Sequence, residues 1–137
     1  MRYLKYFESN SSIDVICYKY DIKNYTVNPD GTVDVDGNVN LSNCRLQELP
    51  LKFGYVSGGF DCSYNQLTSL VSAPEEVGGY FYCYYSTLPQ EIFDNIRYIR
   101  KIIKYQSDYN IWRRDGTLDK YRFSDMMKEI LEEEESR

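Results

Sequence analysis

Histidine is absent from the sequence, and the four cysteines form no CxxC pair. Histidine is the side chain that most often activates a serine or cysteine nucleophile, and zinc and redox motifs are usually built on paired cysteines. We therefore expect a chain that is not an enzyme, holds no metal and needs no cofactor. The cysteines, expected as reduced thiols, are Cys17, Cys44, Cys62 and Cys83.

Long apolar runs are also absent. The chain has no stretch of about 18 apolar residues, the length that could cross a bilayer. Its polar start, MRYLKYFESNSS, lacks the apolar middle of a secretory signal. These absences predict no membrane contact and a location in the cytoplasm where the chain is synthesised.

Positive charge is scarce, with 16 basic against 21 acidic residues and a net charge of −5. A net negative chain repels phosphates, so nucleic-acid binding is an unfavoured function. Tyrosine, in contrast, is abundant, with 15 copies. Tyrosine has an apolar ring and a polar tip, which suits surfaces that are wet when free and buried when bound, although packing in the core is the alternative use.

A repeat of 21 residues runs through the middle of the chain. Three rows begin at Val35, Val56 and Val77, and regular spacing ends near Leu88. Each row follows LxLxxNxLxxL with substitutions, within the roughly 20 to 29 residues of leucine-rich repeats. The positions that match between rows are Gly37, Gly58 and Gly79, then Val39, Phe60 and Phe81, then Leu41, Cys62 and Cys83, then Leu46, Leu67 and Leu88.

This repeat predicts an α/β fold, a short leucine-rich-repeat-like solenoid of about three 21-residue coils in a single domain. In such a repeat the asparagine position binds backbone groups of the turn, and here Cys44, Asn65 and Ser86 occupy it. Solenoid ends need caps. We assign residues 1–34 to the N-terminal cap, residues 35–88 to the repeats and residues 89–137 to a C-terminal helical cap.

The predicted caps have distinct signals. Ser11 or Ser12 is suited to begin a short helix, and the turn from Asn28 to Gly31 predicts a hairpin after it. Apolar residues spaced from Ile92 to Ile103 predict one helix that ends near Tyr105. A last helix is expected around Phe123 and Ile130, with residues 132–135 frayed into solvent.

The segment GGFDCSYNQLTSLVSAPEEVGG, residues 58–79, resembles the unit GxFxCSxNxLTSLxxAPxxVGG of a bacteriophage protein family with leucine-rich-repeat-like units. NPDGTVDVDGNVNLSN is similar to the family's entry segment, and IWRRDGTLDKYRF is similar to its common tail. The third row departs from the family at Tyr84-Tyr85-Ser86, where a polar turn with asparagine is usual. The resemblance implies a phage origin and action in the host bacterial cytoplasm, but a scaffold names no ligand.

The residues between the core positions should face outward, because side chains alternate along a strand. In the third row these residues are aromatic, and exposed aromatic clusters are typical of interaction sites. The alternative is that the last helix or the loop around Trp112 covers the rings. The predicted protein-binding residues are Tyr64, Tyr80, Tyr82, Tyr84 and Tyr85, with Asn40, Asp61, Ser42 and Ser63 as polar contacts.

Three further patterns are open to a functional interpretation. Cationic residues near the C-terminal helices predict a basic strip, for which a solvated surface is the alternative: Arg97, Arg100, Lys101, Lys104, Arg113 and Arg114. Residues 30–37 faintly resemble a calcium loop, but a loop that starts at Thr32 lacks the first acid and has Asn43 in place of the final glutamate. Cys62 and Cys83 are spaced for adjacent positions at which a disulfide would fit, although a cytosolic location argues against one.

The leading hypothesis for function is a protein-binding module that docks a bacterial host protein as an inhibitor or adaptor, with an anti-defence role as a narrower interpretation. The first alternative is self-assembly into a structural homo-oligomer. Nucleic-acid binding through the basic strip is a distant third.

Overall fold

The computed structural model describes residues 12–137, so Ser11, one of the two predicted helix starts, lies outside the described residues. The structure is of the mixed α/β class. Its elements in chain order are α1 (12–19), β1 (Tyr25–Val27), β2 (Val33–Val35), β3 (Val39–Asn40), β4 (Phe53–Val56), β5 (Phe60–Asp61), β6 (Glu76–Val77), β7 (Phe81–Tyr82), α2 (Gln90–Asp94), a 3-10 turn (Ile96–Tyr98), α3 (Ile99–Tyr105) and α4 (Lys120–Glu135). Within this range no helix has both the length and the apolar character needed to span a bilayer.

The strands form two small sheets. The first sheet has the order β1-β2-β4-β6, and the second has the order β3-β5-β7. Strands β1 and β2 form the antiparallel hairpin predicted around residues 28–31, and the other pairs are parallel. In the second sheet Val39 pairs with Phe60 and Phe60 pairs with Phe81. Paired strands of this sheet are therefore separated by 21 residues, the offset found in the sequence.

Tight corners join β2, β4 and β6 of the first sheet to β3, β5 and β7 of the second. At the last of these corners, a Cβ on Gly78 would lie 2.1 Å from the Ser57 carbonyl oxygen. A Cβ on Gly58 would lie 2.7 Å from the Gly37 carbonyl oxygen. The backbones of successive corners thus approach more closely than any side chain allows, which explains why glycine recurs there.

Aromatic stacking fills the space behind the second sheet. Phe60 is fully buried and stacks on Phe81 with 5.5 Å between ring centroids, while Phe53 meets Phe60 edge to face at 5.0 Å. Burial of each such ring contributes about 2 to 3 kcal/mol of transfer free energy. The matching positions Leu41, Cys62 and Cys83 extend this core toward the next turn of the chain.

The polar centre of the core is Asn65, whose side chain is only 4% exposed. Its Oδ1 accepts the N–H groups of Cys44 and Leu46 at 3.0 and 2.9 Å. Its Nδ2 donates to the carbonyls of Leu41, Cys62 and Ser63. One amide therefore satisfies the turns of two successive rows.

The first C-terminal helix differs from the prediction of one continuous helix to Tyr105. The segment ends at Tyr105, but it consists of α2, the 3-10 turn and α3. The break falls at Asn95, whose backbone leaves the helical region with φ −117° and ψ 24°. Its side-chain amide donates to the Glu91 carbonyl at 2.8 Å, competing with the helical hydrogen bond.

The predicted fraying of residues 132–135 is wrong, because α4 continues through Glu135. Glu133 accepts hydrogen bonds from Lys101 at 2.5 Å and from Tyr105 at 2.7 Å. These bonds lower the pKa of the Glu133 carboxyl below its usual value of 4.5. The acidic end of α4 is thus held on α3 by specific charge pairing that helical periodicity does not reveal.

Candidate functional site

Five tyrosines form an exposed surface on and beside the third row, which we call the tyrosine face: Tyr64, Tyr80, Tyr82, Tyr84 and Tyr85. Exposure ranges from 39% for Tyr82 to 76% for Tyr85. The alternative in which the last helix or the loop around Trp112 covers these rings is wrong, because all five rings are exposed. Trp112 is itself buried, lines a groove with Leu49 and Val71, and donates its indole N–H to Gln106 at 2.7 Å.

The rings of the tyrosine face support one another. Tyr80 stacks on Tyr82 with 4.5 Å between centroids, and Tyr84 follows Tyr82 at 5.2 Å. Tyr64 and Tyr85 form a second stack at 4.9 Å. Stacked rings are held in place before binding, so they lose less side-chain entropy when a partner arrives.

Gly59 determines where the Tyr80 ring lies. A Cβ at Gly59 would be 2.2 to 2.5 Å from three atoms of that ring, so the ring rests on the bare glycine backbone. Alternation along the strand places Gly59 on the outward side of the second row but predicts no role for it. The signal was available, since Gly59 and Tyr80 occupy equivalent places 21 residues apart.

Tyr64 and Tyr85 have left-handed backbones, with φ of 59° and 50°. The equivalent residue of the first row is Asn43, with φ 54°. Asparagine adopts this conformation readily, whereas other side chains pay roughly 1 kcal/mol or more. The left-handed conformation recurs at this position in all three rows, so it belongs to the turn, and in the second and third rows the turn carries a tyrosine.

Of the four predicted polar contacts, Asn40, Ser42 and Asp61 are at least partly exposed, whereas Ser63 is buried. Asn40 is exposed and accepts the N–H and the hydroxyl of Ser42, at 3.0 and 2.7 Å. Asp61 is half-buried and its Oδ1 accepts the Ser63 N–H at 2.9 Å. Ser63 corrects the prediction, because it is 2% exposed and its hydroxyl accepts the Tyr84 N–H at 2.9 Å. Ser63 therefore positions Tyr84 and offers no surface contact.

The predicted basic strip is split between two grooves. Residues of the first groove, of about 520 Å³, include Arg97, Arg100, Lys101 and Lys104, together with Glu75, Glu76 and Glu134. Lys101 pairs with Glu133 and Glu134, and Arg100 donates to the Val77 carbonyl at 2.7 Å. Arg113 and Arg114 line the groove of Trp112 instead. The six cations therefore line two separate grooves, and a single continuous strip stays a prediction.

The carboxylates of residues 30–37 accept hydrogen bonds from backbone N–H groups and from side-chain hydroxyls. Asp30 accepts the N–H and hydroxyl of Thr32, which lowers the pKa of the Asp30 carboxyl. Asp34 accepts the Tyr55 N–H at 2.8 Å, and Asp36 accepts the Ser57 hydroxyl at 2.8 Å. Among residues 12–137, no group of three or more cysteine, aspartate or glutamate side chains is arranged to hold a metal ion.

Cys62 and Cys83 are both buried free thiols. Burial raises the pKa of the Cys83 thiol to about 12, and burial, reinforced by Cys83, raises the pKa of Cys62 as well. A thiol that stays protonated is a poor nucleophile, so neither side chain is prepared for covalent chemistry.

The tyrosine face thus lies beside the carboxylate of Asp61 and the side-chain amide of Asn40, which belong to the second sheet. Comparison of this chain with models of protein families, with curated protein sequences and with solved structures finds no match.

Proposed function

We propose that residues 35–88 form a short leucine-rich-repeat-like solenoid of about three coils, capped by the helix and hairpin before it and by the helices after it. The parallel pairing of Val39, Phe60 and Phe81 at intervals of 21 residues supports this interpretation. Repeat structures of this kind present extended binding surfaces, because each coil adds one row of outward side chains.

The solenoid serves as a non-enzymatic protein-binding module. In line with the phage resemblance, its partner is a bacterial host protein, which it inhibits or connects to other components, and anti-defence is the narrower role. The observation that carries this proposal is the tyrosine face. Five exposed tyrosines in two stacks leave a large apolar ring surface in water, which is unfavourable on a surface without a partner. Tyrosine is also enriched among the residues that dominate binding energy.

The test begins with capture of a protein from bacterial lysate, followed by reconstitution with the purified partner. The double variant Tyr82→Ser/Tyr84→Ser removes the centre of the tyrosine face. Tyr121→Ser is the matched control, since Tyr121 is 87% exposed on α4. We expect the double variant to bind about thirtyfold more weakly, because a central anchor residue contributes about 2 kcal/mol. The control should bind as the unchanged chain does.

Equal affinity of the double variant and the control would contradict the proposal. The mass of the purified chain adds a second readout. A monomer is expected, whereas an oligomer that dissociates in the double variant would replace the host partner with a second copy of the chain.

A further inference from the structure

Asp61 lies next to the tyrosine face on the second row. There the outward residues are Gly59, Asp61 and Ser63, of which only Asp61 has a long polar side chain. The Tyr80 ring lies over Gly59 and Ser63 is buried, whereas Asp61 is only half-buried. Asp61 pairs with Tyr82 across the parallel ladder, so the two side chains leave the same side of the sheet next to each other. The Asp61 carboxylate therefore lies beside the aromatic rings.

The charge of this region is negative. None of the outward positions in the three rows is lysine or arginine, and Asp61 is their only ionisable acid besides the tyrosines: 38, 40, 42, 59, 61, 63, 80, 82 and 84. Asp61 Oδ1 accepts the Ser63 N–H, while Oδ2 has no hydrogen-bond partner within residues 12–137. Residues 35–88 contain five acidic and two basic side chains. The surface is thus complementary to a cation.

We propose that Asp61 and the neighbouring tyrosines bind an arginine side chain of the partner protein; this inference rests on the proposed function and specifies its partner. A guanidinium group forms directed hydrogen bonds with a carboxylate and packs against aromatic rings, whereas lysine offers a compact, strongly hydrated charge. Asp61 supplies the carboxylate, and Tyr82 with its stacked neighbours supplies the aromatic surface against which the guanidinium group packs.

The experiment titrates the full chain with acetyl-Gly-Arg-Gly-Arg-Gly-amide and follows backbone and tyrosine ring signals by NMR. Control peptides replace both arginines with glutamine or with lysine. The first protein variant is Asp61→Asn, which keeps the acceptor for the Ser63 N–H. The control variant is Asp108→Asn, because the Asp108 carboxylate is exposed in the segment after α3. Loss of one charge-assisted pair weakens binding about tenfold.

We expect the arginine peptide to shift signals of residues 61 and 80–85 and to bind about tenfold more weakly to Asp61→Asn, with Asp108→Asn unchanged. Binding of the lysine or glutamine peptide with equal affinity would overturn the arginine assignment. Shifts confined to the groove at Glu75 and Glu76 would overturn the site. A captured partner that needs the tyrosines but is insensitive to Asp61→Asn would leave the proposed function standing and reject this inference alone.

Discussion

Asn65 connects two rows through a single side chain. Its carboxamide uses both its acceptor and its donor groups in the interior, where no water replaces them. Cys44 and Ser86 occupy the same place in the neighbouring rows and make only one bond each, to the carbonyls of Ser42 and Cys83. The second row is therefore the best-bonded of the three at this position.

Asn65→Ala is expected to lower the free energy of unfolding by about 2 to 4 kcal/mol, because it leaves buried N–H and carbonyl groups without partners. Gln66→Ala, at the next and exposed position, should change stability by less than about 0.5 kcal/mol. Urea denaturation of both variants measures the difference. Similar unfolding midpoints would show that Asn65 does not join the rows.

Ser63 shows where residue-level prediction ends. Strand alternation predicts that it faces outward with Asp61, but the groups around it decide its exposure. The small hydroxyl is buried and accepts the Tyr84 N–H, whereas the longer Asp61 stays partly exposed. Periodicity predicts the direction of a side chain but not how its neighbours cover it. It therefore does not predict that the Tyr80 ring stacks on Gly59.

At the scale of elements, Gly78 lies against the backbone of a neighbouring corner, whereas Gly59 lies against a ring of the tyrosine face. A methyl group at Gly78 meets the backbone oxygen of Ser57, which cannot move away without breaking the stacking of the corners. A methyl group at Gly59 meets the Tyr80 ring, which can rotate toward solvent. The same substitution should therefore have different effects at the two positions.

Gly78→Ala is expected to lower the free energy of unfolding by about 2 to 3 kcal/mol, as overpacking against fixed atoms does. Gly59→Ala should cost about 1 kcal/mol, the value of one aromatic pair, and should weaken partner binding by displacing Tyr80. Thermal denaturation and the binding assay measure the two effects. Normal partner binding by a folded Gly59→Ala protein would contradict the role assigned to the stacked rings.

The pairing of α3 with α4 has a defined pH dependence. Hydrogen bonds from Lys101 and Tyr105 depress the pKa of Glu133, so its contribution to stability is present above the unfolded value of 4.5 and is lost as pH falls through the lower folded value. The same contacts raise the pKa of Lys101 and of Tyr105.

Glu133→Gln is expected to lower the urea midpoint at pH 7, and the difference from the unchanged chain should shrink as pH falls below 4.5 and through the lower folded pKa of Glu133. Glu135→Gln, an exposed neighbour on α4, serves as the control at each pH. If the Glu133→Gln difference stayed constant as pH was lowered, packing of the side chain and not its charge would anchor α4.

At the scale of the whole molecule, the 21-residue offset in the sequence is also the offset of the strand pairs in the second sheet. The mixed α/β class followed from the same pattern. The break at Asn95 and the separation of Arg113 from Arg97 did not, because apolar spacing describes a face and leaves the path between elements open. Those differences lie after Leu88, where the repeat no longer constrains the chain.

Cooperative unfolding is the prediction that joins the repeats to the C-terminal helices. Trp112, the only tryptophan in the sequence, lies in the C-terminal segment, is buried, and lines a groove together with Leu49 and Val71 of the rows. Cys62 lies in the middle of the rows, buried and with a raised thiol pKa, so it resists thiol reagents at pH 8 until the rows unfold. The two side chains report on separate parts of the chain.

In a urea series, tryptophan fluorescence and labelling of Cys62, located by peptide mapping, should change at the same urea concentration. A chain of 137 residues with one continuous core is expected to unfold in a single transition, because the rows lose their covered end when the helices detach. A fluorescence change at lower urea than the labelling of Cys62 would show that residues 89–137 form an independent unit. In that case the rows would keep their structure without the helices, and the capping role assigned to α2, α3 and α4 would be lost.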